Sequence, residues 1–173
     1  MRKLLIVLFC LIPAIASADM KKPTEIVPVI HASAVYGEGA YRWLGITAYN
    51  ASLWTDADTW SWDEPFALAL QYRMHFTGKD IADRSISEMN NIEPLSDKDR
   101  KDYAAQFSVL FPDVQKGDVI TALYNPGKGA IIYHNGKVTG SIKDDVFARR
   151  FLAIWLDKRT SGPSLRTKLL HLS

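Results

Sequence analysis

Hydrophobic and polar side chains alternate most regularly between positions 66 and 76. Large apolar residues occupy the even positions, from Phe66 through Tyr72 to Phe76, while small or polar residues occupy the odd ones. A period of two places all the even positions on one face of a β-strand. The stretch therefore predicts a strand with one face packed by large apolar side chains and an opposite face of small or polar side chains.

Two more strands are predicted before this one. Residues 26–34 form an apolar run, in which Pro28 favours a position at the edge of the sheet. The Gly-Glu-Gly sequence at 37–39 predicts a turn, and 41–54 predict one long strand, with a bulge or a close approach at Gly45. A polar loop then leads to residue 66.

Helical spacing follows the third strand. Residues 80–91 place Ile81 and Ser85 on one stripe and predict a helix. Ser96 is the predicted N-cap of a second helix, because Asp99 stands three residues later in the capping-box position. Two consecutive helices are therefore expected in the middle of the chain.

The last third predicts three strands and then two helices. The strands are 119–124, 130–134 and 137–142, and the Asn-Gly pair at 135–136 is a strong hairpin signal between the last two. One helix begins at Asp144 or Asp145, and a short one follows Pro163. Runs of strands followed by runs of helices favour an α+β fold, with helices layered on one face of an antiparallel sheet.

The first eighteen residues have the three-part pattern of a cleaved export signal. Arg2 and Lys3 precede an apolar run over 4–15, and the small residues at 16–18 match the cleavage rule. The run is shorter than the ~20 apolar residues of an ordinary membrane span, although an uncleaved anchor stays open as the alternative. The sequence thus predicts a signal peptide at 1–18, one domain at 19–173, and a periplasmic or secreted protein.

Cleavage changes the composition of the chain. It removes Cys10, the single cysteine, so the mature 155 residues (173 less 18) have no disulfide and depend on packing. Of the 21 Lys and Arg residues, Arg2 and Lys3 leave with the signal, and 19 basic residues then balance 19 acidic ones. This balance argues against a nucleic-acid partner. No second apolar segment is long enough to span a membrane after cleavage.

Motifs for metal or cofactor chemistry are weak. The four histidines (His31, His75, His134 and His171) do not pair at helical or strand spacing, so neither a metal site nor a cofactor is expected. The sequence Asn-Pro-Gly-Lys-Gly at 125–129 resembles a phosphate loop, but strands are predicted on both sides and a hairpin turn is favoured. No serine lies in a nucleophile elbow.

Aromatic residues cluster around the predicted polar loop. Trp54, Trp60 and Trp62 lie close together in the sequence, with Trp43 upstream. Two interpretations are open: these rings either line a hydrophobic ligand site or cover one end of the core.

Five stretches, taken in order, resemble the chalcone isomerase-like family, in an exported bacterial branch. They are residues 42–54, 77–85, 111–118, 133–137 and 147–155, and they span nearly the whole mature chain. The resemblance implies an open-faced β-sandwich, in which a layer of helices covers a large antiparallel sheet. It also implies a ligand in a cleft between the sheet and the helices.

The resemblance also says where an isomerase site would lie. Plant chalcone isomerases close a flavanone ring with an arginine, a threonine, a tyrosine and an asparagine. The threonine's place matches Thr47, and the arginine's place falls near Val35, with Arg42 the nearest arginine. The tyrosine's place falls on Ile81 and the asparagine's on Glu88, so three of the four residues are missing.

Fatty-acid-binding members of the family hold a carboxylate with an arginine and a tyrosine. Those two places are also changed here, but other side chains can supply such a clamp, since an arginine fork donates two parallel hydrogen bonds to a carboxylate. The candidate ligand-binding residues are Arg42, Thr47, Tyr49, Tyr72 and Arg84, with Arg73 as a further arginine.

Three functions are compatible with the sequence. The leading one is a non-catalytic exported protein that binds a small hydrophobic or amphipathic ligand, such as a fatty acid. The second is an isomerase or intramolecular lyase that uses Thr47 and Arg42, which requires both side chains in one cleft despite the odd spacing. The third is an assembly partner of another envelope protein, which requires an exposed apolar patch near Trp60 and Trp62.

Overall fold

The computed structural model describes residues 20–172, so the predicted signal peptide at 1–18 lies outside the described residues. The strands are β1 Gly37–Trp43, β2 Ile46–Thr55, β3 Phe66–Tyr72, β4 Val119–Asn125, β5 Gly129–His134 and β6 Lys137–Ile142. The helices are α1 Gly78–Ile92, α2 Asp97–Leu110, α3 Asp145–Leu156 and α4 Pro163–Leu170. Within 20–172, no helix is long and apolar enough to cross a membrane.

The six strands form one antiparallel sheet in the order β1 to β6, so each strand pairs with its neighbour in the chain. Helices α1 and α2 are inserted between β3 and β4, and α3 and α4 follow the last strand. The predicted α+β class is confirmed, and so is the order of elements from β3 onwards. The number of strands before α1 is three as predicted, but the first two lie at other positions than predicted. The predicted limits of β4, β5 and β6 agree with the observed ones to within one residue.

The beginning of the chain differs from the prediction. Residues 26–34 are not a strand: a short 3₁₀ turn, Thr24–Ile26, leads into irregular backbone. Two apolar side chains of this segment, Ile26 and Ile30, are buried against the sheet without the segment forming a strand of it. Residues 37–39 are the start of β1 and not a turn. Gly37 is needed there because a Cβ atom would lie 2.2 Å from the backbone oxygen of Leu169 in α4.

The predicted long strand at 41–54 is in fact a hairpin. β1 and β2 are joined by Leu44 and Gly45, whose φ angles of 48° and 81° are those of a type I′ turn. Leucine is rare in this conformation, and so the sequence carries no ordinary turn signal at this point. The register shifts beyond Tyr41, because Tyr41 pairs with Tyr49 while Arg42 pairs with Thr47. A bulge therefore lies at residue 48, three residues after the predicted position.

The helices cover one face of the sheet. The even residues of β3 (Phe66, Leu68, Leu70 and Tyr72) all belong to the main core beneath the helices, as the alternating pattern predicts. The Ser96 hydroxyl accepts a hydrogen bond from the Asp99 amide and caps α2 as expected. A full capping box, which the sequence reading missed, joins Thr77 and Asp80 at the start of α1.

The opposite face of the sheet has its own small cluster. Ile26 and Ile30 of the N-terminal segment pack there on Trp54, Ala67 and Leu123. The face of the sheet that carries the small and polar side chains of β3 is thus covered by the segment before β1.

Candidate functional site

A cavity of about 440 Å³ lies between the sheet and the helix layer. This volume falls within the usual range for small-molecule sites. The lining is mainly apolar and comes from β1 to β4, α1, α3, α4 and the loop before α4. Its apolar members include Leu70, Phe76, Ile81, Phe111, Ile120, Phe151, Ile154 and Leu165.

Three tyrosines form the strand side of the cavity. Tyr41 of β1 stacks on Tyr49 of β2 at 5.2 Å between ring centroids, and Tyr49 meets the edge of Tyr72 of β3 at 5.9 Å. The Tyr49 hydroxyl accepts a hydrogen bond from Trp155 Nε1 of α3 at 3.0 Å. Burial raises the pKa of both Tyr49 and Tyr72 above the usual range of a phenol, so both hydroxyls stay protonated.

One stripe of α1 forms the helix side. Ile81, Ser85 and Glu88 line the cavity at positions i, i+4 and i+7 of the helix. The Ser85 hydroxyl donates to the backbone oxygen of Ile81 at 2.8 Å, so its own hydrogen is already engaged.

Arg84 and Glu88 form an ion pair at the polar end of this stripe. Arg84 Nη2 lies 2.5 Å from Glu88 Oε1, and it also lies 3.5 Å from the Tyr41 hydroxyl. The Arg84 side chain is largely exposed, whereas that of Glu88 is only 5% exposed. Glu88 Oε2 is shielded from solvent and has no hydrogen-bond partner among residues 20–172. A buried carboxylate oxygen is costly when it is unpaired, so this atom favours the approach of a hydrogen-bond donor.

The structure brings together three of the five candidate ligand-binding residues. Tyr49, Tyr72 and Arg84 line the cavity. Arg42 and Thr47 do not: they pair with each other across the hairpin, beyond the bulge at residue 48. The bulge reverses the side-chain alternation of β2, so Thr47 is turned away from the face that carries Tyr49. Arg73 is exposed and does not line the cavity either.

The tryptophans of the polar loop lie elsewhere. Trp60 and Trp62 pack edge-on against Phe66, and Trp62 also meets Tyr124, so they cover one end of the core. Neither lines the cavity, and the interpretation of these rings as a ligand rim is wrong. Trp43, at the hairpin tip, does line the cavity although it is 59% exposed.

Sequence reasoning missed several cavity residues. Tyr41 and Trp155 carry no motif, since strand alternation places an aromatic residue on a face but does not say which partner it meets. The resemblance places Glu88 where the family has an asparagine, and by itself does not predict a role for it. Its distance of four residues from Arg84 was an available signal, because i and i+4 positions are neighbours on a helix.

The lining of the cavity is suited to an amphipathic ligand. The apolar walls can hold a hydrocarbon or ring system, and hydroxyl, guanidinium and carboxylate groups lie together on one part of the lining. Within residues 20–172, no group of three His, Cys, Asp or Glu side chains is placed to hold a metal ion.

The comparisons with known proteins agree with this architecture. A family model described as chalcone isomerase-like matches residues 31–171. Among solved structures, the chain is similar to the crystal structure of a fatty-acid binding protein from Arabidopsis thaliana, with a TM-score of 0.62 and 15% sequence identity. The match covers 79% of this chain and 86% of that one. The comparison with curated proteins gave no match.

Proposed function

This chain belongs to the chalcone isomerase-like family, and on that premise we propose that it is a non-catalytic binding protein for a small hydrophobic or amphipathic ligand, fatty-acid-like in form. The observation that carries the proposal is the apolar cavity of about 440 Å³ beneath the helix layer. Apolar walls with a few convergent polar groups are the usual design of a site for such ligands. The similarity of fold to a protein named as fatty-acid binding supports the same choice.

The residues at the positions of the isomerase site support ligand binding rather than catalysis. Ile81 lines the cavity but has no hydroxyl to hold a water or polarise a carbonyl. Val35, the residue in the arginine's place, packs against the cluster on the opposite face of the sheet. Thr47 and Arg42 lie outside the cavity lining, so the two groups that the isomerase hypothesis requires do not share this cleft with a ligand.

The first test asks whether a ligand is bound. The protein is recovered gently from the cells that make it and analysed by native mass spectrometry, and anything bound is then extracted with solvent and identified. We expect one hydrophobic or amphipathic molecule per chain. A chain that is always empty and that binds no added lipid would overturn the proposal.

A cavity-filling variant ties binding to this site. Ile81→Trp places a larger side chain in the lining and is expected to weaken lipid binding by about tenfold or more, because it takes volume from the ligand. Val109→Trp is the matched control, since Val109 is exposed on α2 and does not line the cavity. Equal binding by both variants would contradict the assignment of the site.

We also propose that the mature protein begins at Asp19 and is exported. The support is the charged, apolar and small-residue pattern of residues 1–18. Intact-mass measurement of the protein from its native cells is expected to give a chain that starts at Asp19 in the exported fraction. A full-length mass in that fraction would favour the uncleaved anchor instead.

A further inference from the structure

The charged groups of the cavity do not suit an anionic ligand. Among the described residues that line it, the charged ones are Asp80, Arg84 and Glu88, so two carboxylates stand against one guanidinium. Hydrogen bonds from Thr77 hold the pKa of Asp80 below its usual range, which keeps that carboxylate ionised at neutral pH. A ligand carboxylate would therefore enter a lining whose formal charge is already negative.

Arg84, the one cation of the lining, is already engaged. Its Nη2 atom lies 2.5 Å from Glu88 Oε1 on the next turn of α1. A ligand carboxylate would have to compete with this internal carboxylate for the same guanidinium. It would also approach the second oxygen of Glu88, and like charges at short range repel each other strongly where the dielectric constant is low.

A ligand that donates a hydrogen bond would be favoured by Glu88, in contrast to a ligand that carries a carboxylate. Its Oε2 atom has no partner among residues 20–172 and is shielded from solvent, although the residue lines the cavity. An ionised carboxylate has no hydrogen to donate and can only accept. The terminal torsion of a glutamate is broad, so the carboxylate can turn towards a donor that enters the cavity.

We propose that the cavity selects an amphipathic ligand whose head group donates hydrogen bonds and carries no negative charge, with the Glu88 carboxylate as the acceptor for that head group. The inference rests on the proposed function, because it names the ligand class of the same cavity. A long-chain alcohol meets the requirement, whereas an ionised fatty acid does not. The head group completes the hydrogen bonding of Glu88 and does not compete with its carboxylate for Arg84.

Three matched ligands test the head group on the wild-type protein. Dodecanol, dodecyl methyl ether and dodecanoate each have a twelve-carbon chain. Their head groups differ in whether they donate a hydrogen bond and whether they carry a negative charge. Their affinities are measured by displacement of the neutral probe N-phenyl-1-naphthylamine at about pH 8, where a free carboxylate is ionised. We expect dodecanol to bind about tenfold more tightly than the ether, which lacks the donor, and more tightly still than dodecanoate. An ether that binds as tightly as the alcohol would overturn the inference.

A variant pair assigns this preference to Glu88. Glu88→Gln keeps the shape of the side chain and removes its charge, and is expected to lower the ratio of dodecanol to dodecanoate affinity by about tenfold. Glu64→Gln is the control, because Glu64 is exposed and does not line the cavity. An unchanged ratio in a folded Glu88→Gln protein would overturn the assignment.

The outcomes for the two proposals are distinct. If none of the three ligands displaces the probe and no lipid is recovered with the protein, the binding function itself fails. If dodecanoate binds the wild type at least as tightly as dodecanol, the binding function stands and the head-group inference is wrong.

Discussion

At the scale of single residues, burial decides the chemistry of the cavity. Tyr72 is almost inaccessible and Tyr49 is covered by its contacts with Tyr41 and Trp155, so desolvation raises the pKa of both phenols. Glu88 is equally buried, but it is balanced by Arg84 on one oxygen only. The strand side of the cavity therefore presents buried neutral hydroxyl groups, and the helix side presents a buried carboxylate that can accept a hydrogen bond.

The buried tyrosines predict a loss of stability at alkaline pH. Below the usual phenol pKa of 10.0, both the folded and the unfolded protein keep these protons, so the tyrosines add no pH dependence. Above it, the unfolded chain releases protons that the folded chain retains, and the free energy of unfolding falls as pH rises. We expect denaturant titrations at about pH 9 and pH 11 to show this fall.

Tyr72→Phe is the control for that pH dependence. The variant removes one phenol whose pKa is raised by burial in the folded state. Since the Tyr72 hydroxyl has no hydrogen-bond partner among residues 20–172, we expect little change at neutral pH, within about 0.5 kcal/mol. The alkaline loss of stability should be visibly smaller than in the wild type. A loss of the same size in both proteins would assign it to other groups, such as Tyr124, whose pKa burial raises to about 12.

At the scale of elements, the β1–β2 hairpin shows a conflict between sequence and structure. Trp43 pairs with Ile46, so Leu44 and Gly45 alone form the turn, and both have positive φ. Gly45 adopts this conformation freely, but Leu44 does not. Leu44 is also 82% exposed, so its side chain gains little from packing. The pairing of the two long strands holds the turn in place against this local preference.

Replacing Leu44 should therefore stabilise the protein. Leu44→Asn supplies the Asn-Gly sequence that a type I′ turn favours, and we expect the free energy of unfolding to rise by about 1 kcal/mol. Chemical denaturation measures the change. Because Leu44 does not line the cavity, ligand affinity should stay the same. A lower stability would contradict the conclusion that the backbone of Leu44 is strained.

At the scale of the whole molecule, the sheet is covered on both faces by different means. Four helices cover one face, and three of them (α1, α3 and α4) line the cavity, while the segment before β1 covers the other face with Ile26 and Ile30. Polar anchors hold this segment: Lys22 donates to the backbone oxygens of Ile30 and Ala32, and Asp56 accepts from the amides of His31 and Ala32. The N-terminal segment is thus part of the domain.

Truncating one of its buried side chains tests that conclusion. Ile30→Ala is expected to lower the free energy of unfolding by about 2–5 kcal/mol, since Ile30 is buried in the small cluster with Trp54, Ala67 and Leu123. Val27→Ala is the comparison, because Val27 is 50% exposed and its truncation should cost no more than about 0.5 kcal/mol. Urea denaturation of the two variants measures the difference. Similar small losses would mean that the segment is only loosely attached to the sheet.

The candidate site was predictable in part, and the reason for the limit is the bulge. Tyr49, Tyr72 and Arg84 were identified from the sequence and do line the cavity. Arg42 and Thr47 were identified in the same way and do not. One extra residue in β2 turns Thr47 away from the helices, and no feature near residue 48 signals it. Arg42 faces away because it lies between Tyr41 and Trp43 of β1, which both line the cavity.

From the amino-acid sequence alone, the α+β class, the order of elements from β3 onwards and the packed face of β3 could be predicted, because these follow from local periodicity, capping residues and turn residues. The family was indicated by the resemblance of five stretches of the chain. The three-dimensional structure was needed to show where the first strand begins, which turn joins β1 to β2, and which tryptophans line the cavity. It also decided the pairing of Arg84 with Glu88 and the unpaired oxygen beside it. These depend on strand register and on contacts between residues distant in sequence, which local patterns do not specify.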